Sequence, residues 1–451
     1  MTFTLTLPAA AQQSSATVYV PESSINRPEY AGKFAHTNYV VHTTGGALPK
    51  GTPAPPPGAE TPYSLTCVYG LLTGPAGCPI AGPYTHHIIN GWGAIALVDA
   101  YDNSTAAADL STFATTYSLS TPDFTKVYVD TSHGYSGASC AHVPADTTGW
   151  ALEEALDIEY SFAVANLAHI YLVEACSDSY ADLMYAELAA GKLLNDGVLQ
   201  GMPPVLVKGG DISNSWGGGE FPGETSLDTN FFENCLPGDM NCTSGYWDRI
   251  VYFASAGDSG CGAQWPSSSP WVVSAGGTAI NRDGTGKLAS QSCWSGSGGG
   301  VSSIETWGAA FPTGMGPWVN FQYAQFGQTA RQTPDIAADA DPYSGAAVYC
   351  TASYCMGIGG PWFQVGGTSL ASPLLAGIVN IAKNKLGQAP HGGGFYTNEQ
   401  NAFIYSELFT WTTEGAHVYD VKTGTNGCGA GAGPGWDQCT GVGTPAGYSA
   451  H

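Results

Sequence analysis

The stretch around Ser369 places a small hydroxyl residue behind a glycine-rich approach. Residues 366–373 read Gly-Gly-Thr-Ser-Leu-Ala-Ser-Pro, and the apolar run 374–379 follows. Glycines let a substrate backbone come close, and a helix that begins behind the serine presents free N–H groups. The pattern is typical of a nucleophilic serine, and also of a structural turn before a buried helix.

Carboxyl groups in two other stretches could serve such a serine. The predicted helix 150–167 carries Glu153 and Asp157 four residues apart, one turn from each other on the same face. Their repulsion would raise one pKa and let the pair share a proton in acid. Asp258 lies among glycines after the apolar run 251–255, where a carboxyl can be held out into a cleft. A solvated helix face and a simple turn are the ordinary structural alternatives.

A further glycine-rich stretch, residues 213–220, follows an apolar run at 205–207. Its glycines would let another backbone pair with that edge, as a bound peptide does. Ser215, Trp216 and Gly217 are therefore candidate substrate-binding residues, with a plain loop as the alternative.

Strands and helices alternate along most of the chain, which predicts an α/β fold with a doubly wound parallel sheet and helices on both faces. Sites in such folds collect at the carboxyl ends of the strands, where Asp99, the stretch after Val207 and the turn after Ser255 are expected. The predicted strands are 94–98, 126–129, 169–173, 205–207, 251–255 and 271–274, and the predicted helices begin near 106, 150 and 180.

The composition narrows the class of protein. The 451 residues carry 36 acidic and 13 basic side chains, for a net charge of −23, which argues against nucleic acid or an anionic membrane as a partner. Only 11% of the residues are charged, against about 25% in ordinary soluble domains. We interpret this as adaptation to acid, with a generic acidic secreted protein as the alternative.

The 12 cysteines favour an oxidising compartment and therefore secretion, because their number is even and no spacing suggests zinc. The N-terminus lacks the features of a signal peptide, and no apolar run is long enough for a membrane helix. The sequence alone cannot prove which cysteines are bonded to each other. The pairs that are close in sequence are Cys235/Cys242, Cys350/Cys355 and Cys428/Cys439.

Together these motifs resemble the serine-carboxyl peptidase (sedolisin) family, in its kumamolisin-like form. The resemblance covers most of the chain from residue 76 onward and rests on five motifs in the family's order. They are Ala96-Leu97-Val98-Asp99-Ala100-Tyr101-Asp102, Glu153-x-x-x-Asp157, Ser215-Trp216-Gly217, Gly257-Asp258-Ser259-Gly260 and Gly367-Thr368-Ser369-x-x-Ser372-Pro373.

The resemblance implies a subtilisin-like fold and an acid-active endopeptidase that forms an acyl-enzyme. Ser369 would be the nucleophile, Glu153 its general base and Asp157 the support of that base. A protonated Asp258 would donate a hydrogen bond in the oxyanion hole. A carboxylate base suits acid because its pKa lies near the working pH. We expect protein and peptide substrates and a monomeric enzyme.

The resemblance also implies one structural calcium ion in the C-terminal loops. Its ligands would be the side chains of Asp420 and Asp437 and the carbonyls of Val421, Gly433 and Gly435. Such hard oxygen donors suit this cation. Without the family resemblance, we would interpret the stretch as a glycine-rich loop closed by a disulfide between Cys428 and Cys439.

Residues 1–75 carry no family motif. They look irregular and include the proline-rich piece 51–58, so we expect an N-terminal extension before a catalytic domain at 76–450. Family members are made with a large prodomain. We expect no full prodomain in this segment, because it is too short and lacks alternating strands and helices.

Two other functions remain open. Asp99, His133 and Ser369 follow the order of an ordinary subtilisin-like triad, although His133 does not lead into an apolar helix. A non-enzymatic secreted carbohydrate-binding protein is the other alternative, since 12 Trp and 24 Tyr could form a stacking surface. Aromatic residues within apolar runs more often belong to the core.

Overall fold

The computed structural model describes residues 18–43, 51, 53–84, 90–231, 250–306, 322, 329–385, 397–406 and 417–447. Its α-helices are α1 (Pro62–Val68), α2 (Ala106–Thr116), α3 (Trp150–Val164), α4 (Tyr180–Asp196), α5 (Ser353–Gly357), α6 (Thr368–Lys385) and α7 (Thr397–Ser406). Its strands are β1 (Val18–Tyr19), β2 (His36–Thr37), β3 (Val40–His42), β4 (Ala94–Ala100), β5 (Phe124–Tyr128), β6 (His169–Ala175), β7 (Val198–Gln200), β8 (Val205–Val207), β9 (Gly210–Asn214), β10 (Trp216–Gly219), β11 (Ile250–Ser255), β12 (Gln264–Trp265), β13 (Val273–Arg282), β14 (Leu288–Cys293), β15 (Gly300–Thr306), β16 (Ala330–Thr333), β17 (Ile336–Asp339), β18 (Ala346–Tyr349), β19 (Trp362–Gly366), β20 (Val418–Tyr419) and β21 (Thr444–Pro445).

A central sheet with the strand order β14-β13-β11-β9-β4-β6-β5 organises the fold, and β17 also pairs with β13. Every pair in it is parallel except β13 with β14. Alternate residues of β4 enter different cores: Ile95 and Leu97 pack in one, Ala96 and Val98 in the other. Helices α3 and α6 cover the first face and α4 the second. The predicted doubly wound α/β fold is confirmed.

The predicted strand at 205–207 is present, but its predicted burial is wrong. Among the strands of the described ranges, β8 pairs with β7 alone, and Val205 and Leu206 are 61% and 51% exposed. The sheet instead takes β9, which begins with a glycine. A Cβ on Gly210 would lie 1.8 Å from the carbonyl oxygen of Ala94, so this close approach requires glycine. Apolar character alone could not tell an exposed hairpin from a core strand.

Part of the predicted irregular extension is regular. Residues 62–68 form α1, and Thr61 and Ser64 cap it reciprocally through side chain and backbone. Leu65 and Tyr69 are fully buried in the main core. The segment is therefore part of the packed body of the protein.

Five disulfides join described cysteines. Cys350–Cys355 confirms one expected couple. The suggested staple between Cys428 and Cys439 is wrong, because each bonds to a cysteine more than a hundred residues away in sequence. The other pairs are Cys67–Cys78, Cys140–Cys176, Cys261–Cys428 and Cys293–Cys439. Cys235 and Cys242 lie outside the described residues.

None of the helices in the described ranges has the length and apolar character that crossing a bilayer requires. The large aromatic side chains in these ranges lie mainly in the core. Trp150, Trp216, Trp265 and Trp362 are among the largest fully buried residues. This placement gives no support to an aromatic carbohydrate-binding face.

Candidate active site

Ser369 lies at the start of α6, directly after β19, and is fully buried. The preceding Gly367 has φ +113°, and a Cβ there would lie 2.2 Å from the Asn38 carbonyl oxygen and 2.5 Å from Asp258 Oδ2. A side chain would fill this position, so the glycine keeps open the space beside the serine. The Ser369 hydroxyl donates to the carbonyl oxygen of Ser215 at 3.0 Å.

Glu153 and Asp157 lie on α3, which packs against α6, and both are fully buried. A solvated helix face, the alternative considered for this pair, is therefore excluded. The Ser215 hydroxyl donates to Asp157 Oδ1 at 2.8 Å. Neither carboxylate oxygen of Glu153 has a hydrogen-bond partner at normal geometry among the described residues. Glu153 thus has free acceptor positions beside the serine.

The two carboxyls affect each other's protonation. Burial raises the pKa of Glu153 well above its usual range, Asp157 raises it further, and the nearby Ser369 hydroxyl partly offsets the shift. Burial and Asp99 raise the pKa of Asp157, and the hydrogen bond from Ser215 opposes them. Because like charges in one enclosed space repel, the pair holds at least one proton over the acid range.

Asp258 follows β11 and faces the start of α6. The Thr368 backbone N–H and hydroxyl donate to its Oδ1 at 2.8 and 2.9 Å. Its Oδ2 is enclosed and has no partner in the described part of the chain. Loss of solvent raises the pKa of Asp258 to about 8, so its carboxyl is protonated in acid and can donate a hydrogen bond.

The subtilisin-like triad is not assembled. Asp99 ends β4 in full burial, which raises its pKa to about 8, and its charge raises the pKa values of Glu153 and Asp157. His133 lies beyond β5, at the edge of the central sheet. Its side chain is 51% exposed, and its Nδ1 is 2.8 Å from Asp130. The histidine therefore lies away from the serine.

Strand β10, which contains Trp216 and Gly217, pairs with another backbone as its glycines suggested. The partner is the chain's own β2, antiparallel, with Thr37 opposite Trp216 and His36 opposite Gly217. After Asn38 the chain continues into β3, which pairs antiparallel with β19. Residues 36–42, here called the cleft segment, therefore cross the site next to Ser369.

Sequence reasoning missed three contributors to this site. The Ser215 hydroxyl, expected only to bind substrate, donates to Asp157. Thr368 donates two hydrogen bonds to Asp258, and the cleft segment crosses the site next to Ser369. The run Asn38-Tyr39-Val40-Val41 contains one aromatic and two β-branched residues, which favour a strand. The sequence could therefore have indicated the cleft segment. It was overlooked because the surrounding residues look irregular.

The proposed calcium ligands lie together in the C-terminal loops. The N–H of Gly435 donates to Asp420 Oδ2 at 3.4 Å and that of Gly433 to Asp437 Oδ2 at 3.1 Å. Asp420 Oδ1 is enclosed without a partner in this part of the structure. Among the described residues no three His, Cys, Asp or Glu side chains converge on a metal position, so a cation here would also need backbone carbonyls such as that of Val421. Two carboxylates and an unsatisfied oxygen fit a hard cation.

Solved structures share this fold. Pseudomonas sedolisin, a serine-carboxyl proteinase complexed with two molecules of pseudo-iodotyrostatin, superposes with a TM-score of 0.60 at 21% identity, covering 89% of this chain and 96% of the other. That likeness establishes the subtilisin-like α/β architecture that the resemblance implied.

Sequence relatives point to the same class. Kumamolisin from Bacillus sp. (strain MN-32) is 32% identical over 225 residues, covering 44% of this chain and 35% of its own length. Sedolisin from Pseudomonas sp. (strain 101) is 32% identical over 213 residues, with 44% and 30% covered, and dog tripeptidyl-peptidase 1 is 29% identical over 216 residues, with 43% and 35% covered. No family model matches the chain. The chain spans about a third of the length of these curated relatives. Over these segments the chain is similar to serine-carboxyl peptidases of the sedolisin type.

The buried carboxyls predict a protein that is more stable in acid than at neutral pH. Burial raises the pKa values of Asp99, Asp258 and Glu187 to about 8, above the values near 4 that they have when unfolded. The folded chain therefore holds more protons than the unfolded chain between those limits. Its free energy of unfolding should fall by about 1.4 kcal/mol per pH unit for each such carboxyl as pH rises from about 4 to 8.

Denaturant unfolding at pH 4, 6 and 8 measures this slope. Glu187→Gln removes one titrating carboxyl and should make the slope shallower, whereas the exposed Asp283→Asn should leave it unchanged. Stability that rises towards neutral pH would contradict the assignment.

Proposed function

We propose that the chain is an acid-active serine-carboxyl endopeptidase that hydrolyses proteins through an acyl-enzyme. The observation that carries the proposal is that Ser369, Glu153 and Asp258 converge from three elements on one glycine-lined space. Cleavage within a chain is supported by the cleft segment, because the groove accepts backbone that continues on both sides of Ser369.

Acylation begins with a rotation of the serine hydroxyl. Ser369 Oγ turns from the carbonyl of Ser215 towards the free oxygens of Glu153 and gives up its proton as it attacks the substrate carbonyl carbon. Asp157, held by Ser215, shares the charge and proton of the pair. The C–N bond then breaks, the leaving amine takes the proton from Glu153, and water hydrolyses the ester by the reverse sequence.

The negative oxygen of the tetrahedral intermediate would have two donors. The Ser369 backbone N–H already donates to a carbonyl oxygen in this space, at 2.9 Å from Asn38. Protonated Asp258 would supply the second hydrogen bond through its free Oδ2. Donors fixed in an enclosed site stabilise developing charge strongly, and losing one typically costs about 10²–10³-fold in rate.

This chemistry works best in acid. Asp258 must hold its proton, and it loses the proton as pH rises through about 8. The Glu153–Asp157 pair must carry a single negative charge to accept the serine proton. Full burial beneath the cleft segment favours the neutral pair, so hydrolysis of other peptides requires that they replace that segment.

We further propose that a structural calcium ion is held by Asp420, Asp437 and the carbonyls of Val421, Gly433 and Gly435. Its charge would add to that of Lys422, whose Nζ lies 3.3 Å from Asp420 Oδ2, in offsetting the two carboxylates. Disulfides and the acid chemistry support secretion into an acidic environment.

Calcium removal should lower the thermal stability of the protein. A site occupied at about 100 times its Kd adds about 2.7 kcal/mol, so Tm should fall by several degrees when a chelator is added at pH 6. Asp420→Asn should lower Tm and abolish the response to calcium, and Asp283→Asn should do neither. A Tm that does not change with calcium in the unmodified protein would exclude the site.

The proposed activity is tested by incubating the folded chain with a denatured protein in acid. New peptide termini that increase with time are expected, and they should be absent from the Ser369→Ala variant. A well-folded sample that cuts no peptide bond would contradict the proposal and favour a binding protein.

A further inference from the structure

The cleft segment lies in the candidate active site in the manner of a bound peptide. Its first half pairs with β10 and its second half with β19, both antiparallel. The Asn38 N–H donates to the Ser215 carbonyl at 3.2 Å, which continues the ladder as far as the serine. The segment therefore fixes which of its residues lies at each position along the groove.

One peptide bond of the segment lies at the reacting atoms, that between Asn38 and Tyr39. The Asn38 carbonyl oxygen accepts from the Ser369 backbone N–H at 2.9 Å, and the Asn38 N–H is 3.2 Å from Ser369 Oγ. The same oxygen lies over Gly367, beside the free Oδ2 of Asp258. Asn38 thus occupies the position of the residue whose carbonyl is attacked.

The side chain of Asn38 shows what this position recognises. Its Nδ2 donates to the hydroxyl of Ser255 at 2.7 Å, and both residues are fully buried. Gly217 borders another side of the Asn38 side chain, since a Cβ built on Gly217 would lie 3.6 Å from Asn38 Nδ2. The pocket contact is a neutral hydroxyl, so it suits a short, uncharged side chain with an N–H donor.

We propose that Ser255 is a specificity-determining residue and that the site prefers peptides with asparagine immediately before the cleaved bond. The inference rests on the proposed peptidase activity and names its substrate class. An apolar side chain would leave the buried Ser255 hydroxyl without this partner. Loss of one such hydrogen bond costs about tenfold in relative affinity.

The chain itself contains a bond of this kind, the Asn38–Tyr39 peptide bond, which has asparagine immediately before it. Its cleavage would follow the same balanced steps: Ser369 Oγ bonds to the Asn38 carbon, the bond to the Tyr39 nitrogen breaks, and water completes the hydrolysis. Glu153 takes the serine proton and returns it to the Tyr39 amine.

The test is a digest of a denatured protein mixture by the full chain in acid, with all new termini mapped by mass spectrometry. We expect asparagine before the cut about tenfold more often than its frequency in the mixture. Ser255→Ala should reduce this enrichment to about twofold or less. Ser259→Ala is the matched control, because Ser259 is exposed in the loop that follows the strand of Ser255, and it should keep the full enrichment.

The outcomes separate the inference from the activity on which it rests. Cuts without asparagine enrichment, or enrichment that survives Ser255→Ala, would overturn the inference and leave the peptidase in place. No cuts by any variant would overturn the peptidase itself. Within the enzyme, a new terminus at Tyr39 that is absent from Ser369→Ala supports the register, and a cut after Thr37 instead contradicts it.

Discussion

Replacement of Ser369 by alanine is expected to lower kcat/KM for peptide hydrolysis by about 10⁴-fold or more. The variant keeps its backbone N–H and the groove but has no oxygen to attack the substrate. It loses two hydrogen bonds of the hydroxyl, to the Ser215 carbonyl and from the Asn38 N–H, so its stability should fall by about 1–2 kcal/mol. Initial rates on a denatured protein in acid, together with unfolding curves, measure both effects.

Ser372→Ala is the matched control for this loss. Ser372 lies one turn further along α6, and its hydroxyl bonds to that of Ser213 at 2.8 Å, away from the carboxyls. We expect kcat/KM within about tenfold of the unmodified chain, with a similar loss of stability. Equal losses of activity in the two serine variants would mean that Ser369 acts only through folding.

Glu153→Gln is expected to lower kcat/KM by about 10²–10⁴-fold, because the amide keeps the shape of the side chain and cannot accept the serine proton. The acid limb of the pH–rate profile, which reports the ionisation of the Glu153–Asp157 pair, should change with it. Initial rates from pH 2 to 7 give both quantities.

The neighbouring Glu154→Gln provides the control for this variant. Glu154 is equally buried, and burial, Glu174 and Asp99 raise its pKa, with Asp146 and Lys126 as its other charged neighbours. We expect it to retain kcat/KM within about tenfold. If both glutamine variants lost activity equally, Glu153 would have no special role as a base.

Sequence alone predicts the fold well where burial and periodicity agree. The wholly buried apolar strand β4 and the helix that carries Glu153 were placed correctly for that reason. It fails at β9, whose Asp211 and Ser213 are polar yet central, because their partners come from distant residues such as Asn380 and Ser372. Only the folded chain brings those partners together.

The candidate site, like the fold, could be predicted from the sequence only in part. The spacing of Glu153 and Asp157 was visible on one helix, and the glycines around Asp258 and Ser369 marked close approaches of backbone. The disulfides of Cys428 and Cys439 and the route of the cleft segment depend on contacts across more than a hundred residues. Local sequence patterns do not show which distant residues come into contact.

The central claim is that carboxyls, and not a histidine, activate this serine. The most direct measurement is the pH dependence of kcat/KM on a denatured protein from pH 2 to 9. The account predicts a maximum in acid and a loss of activity by about pH 8, as Asp258 gives up its proton. Activity that is greatest near neutral pH and vanishes in acid would contradict it.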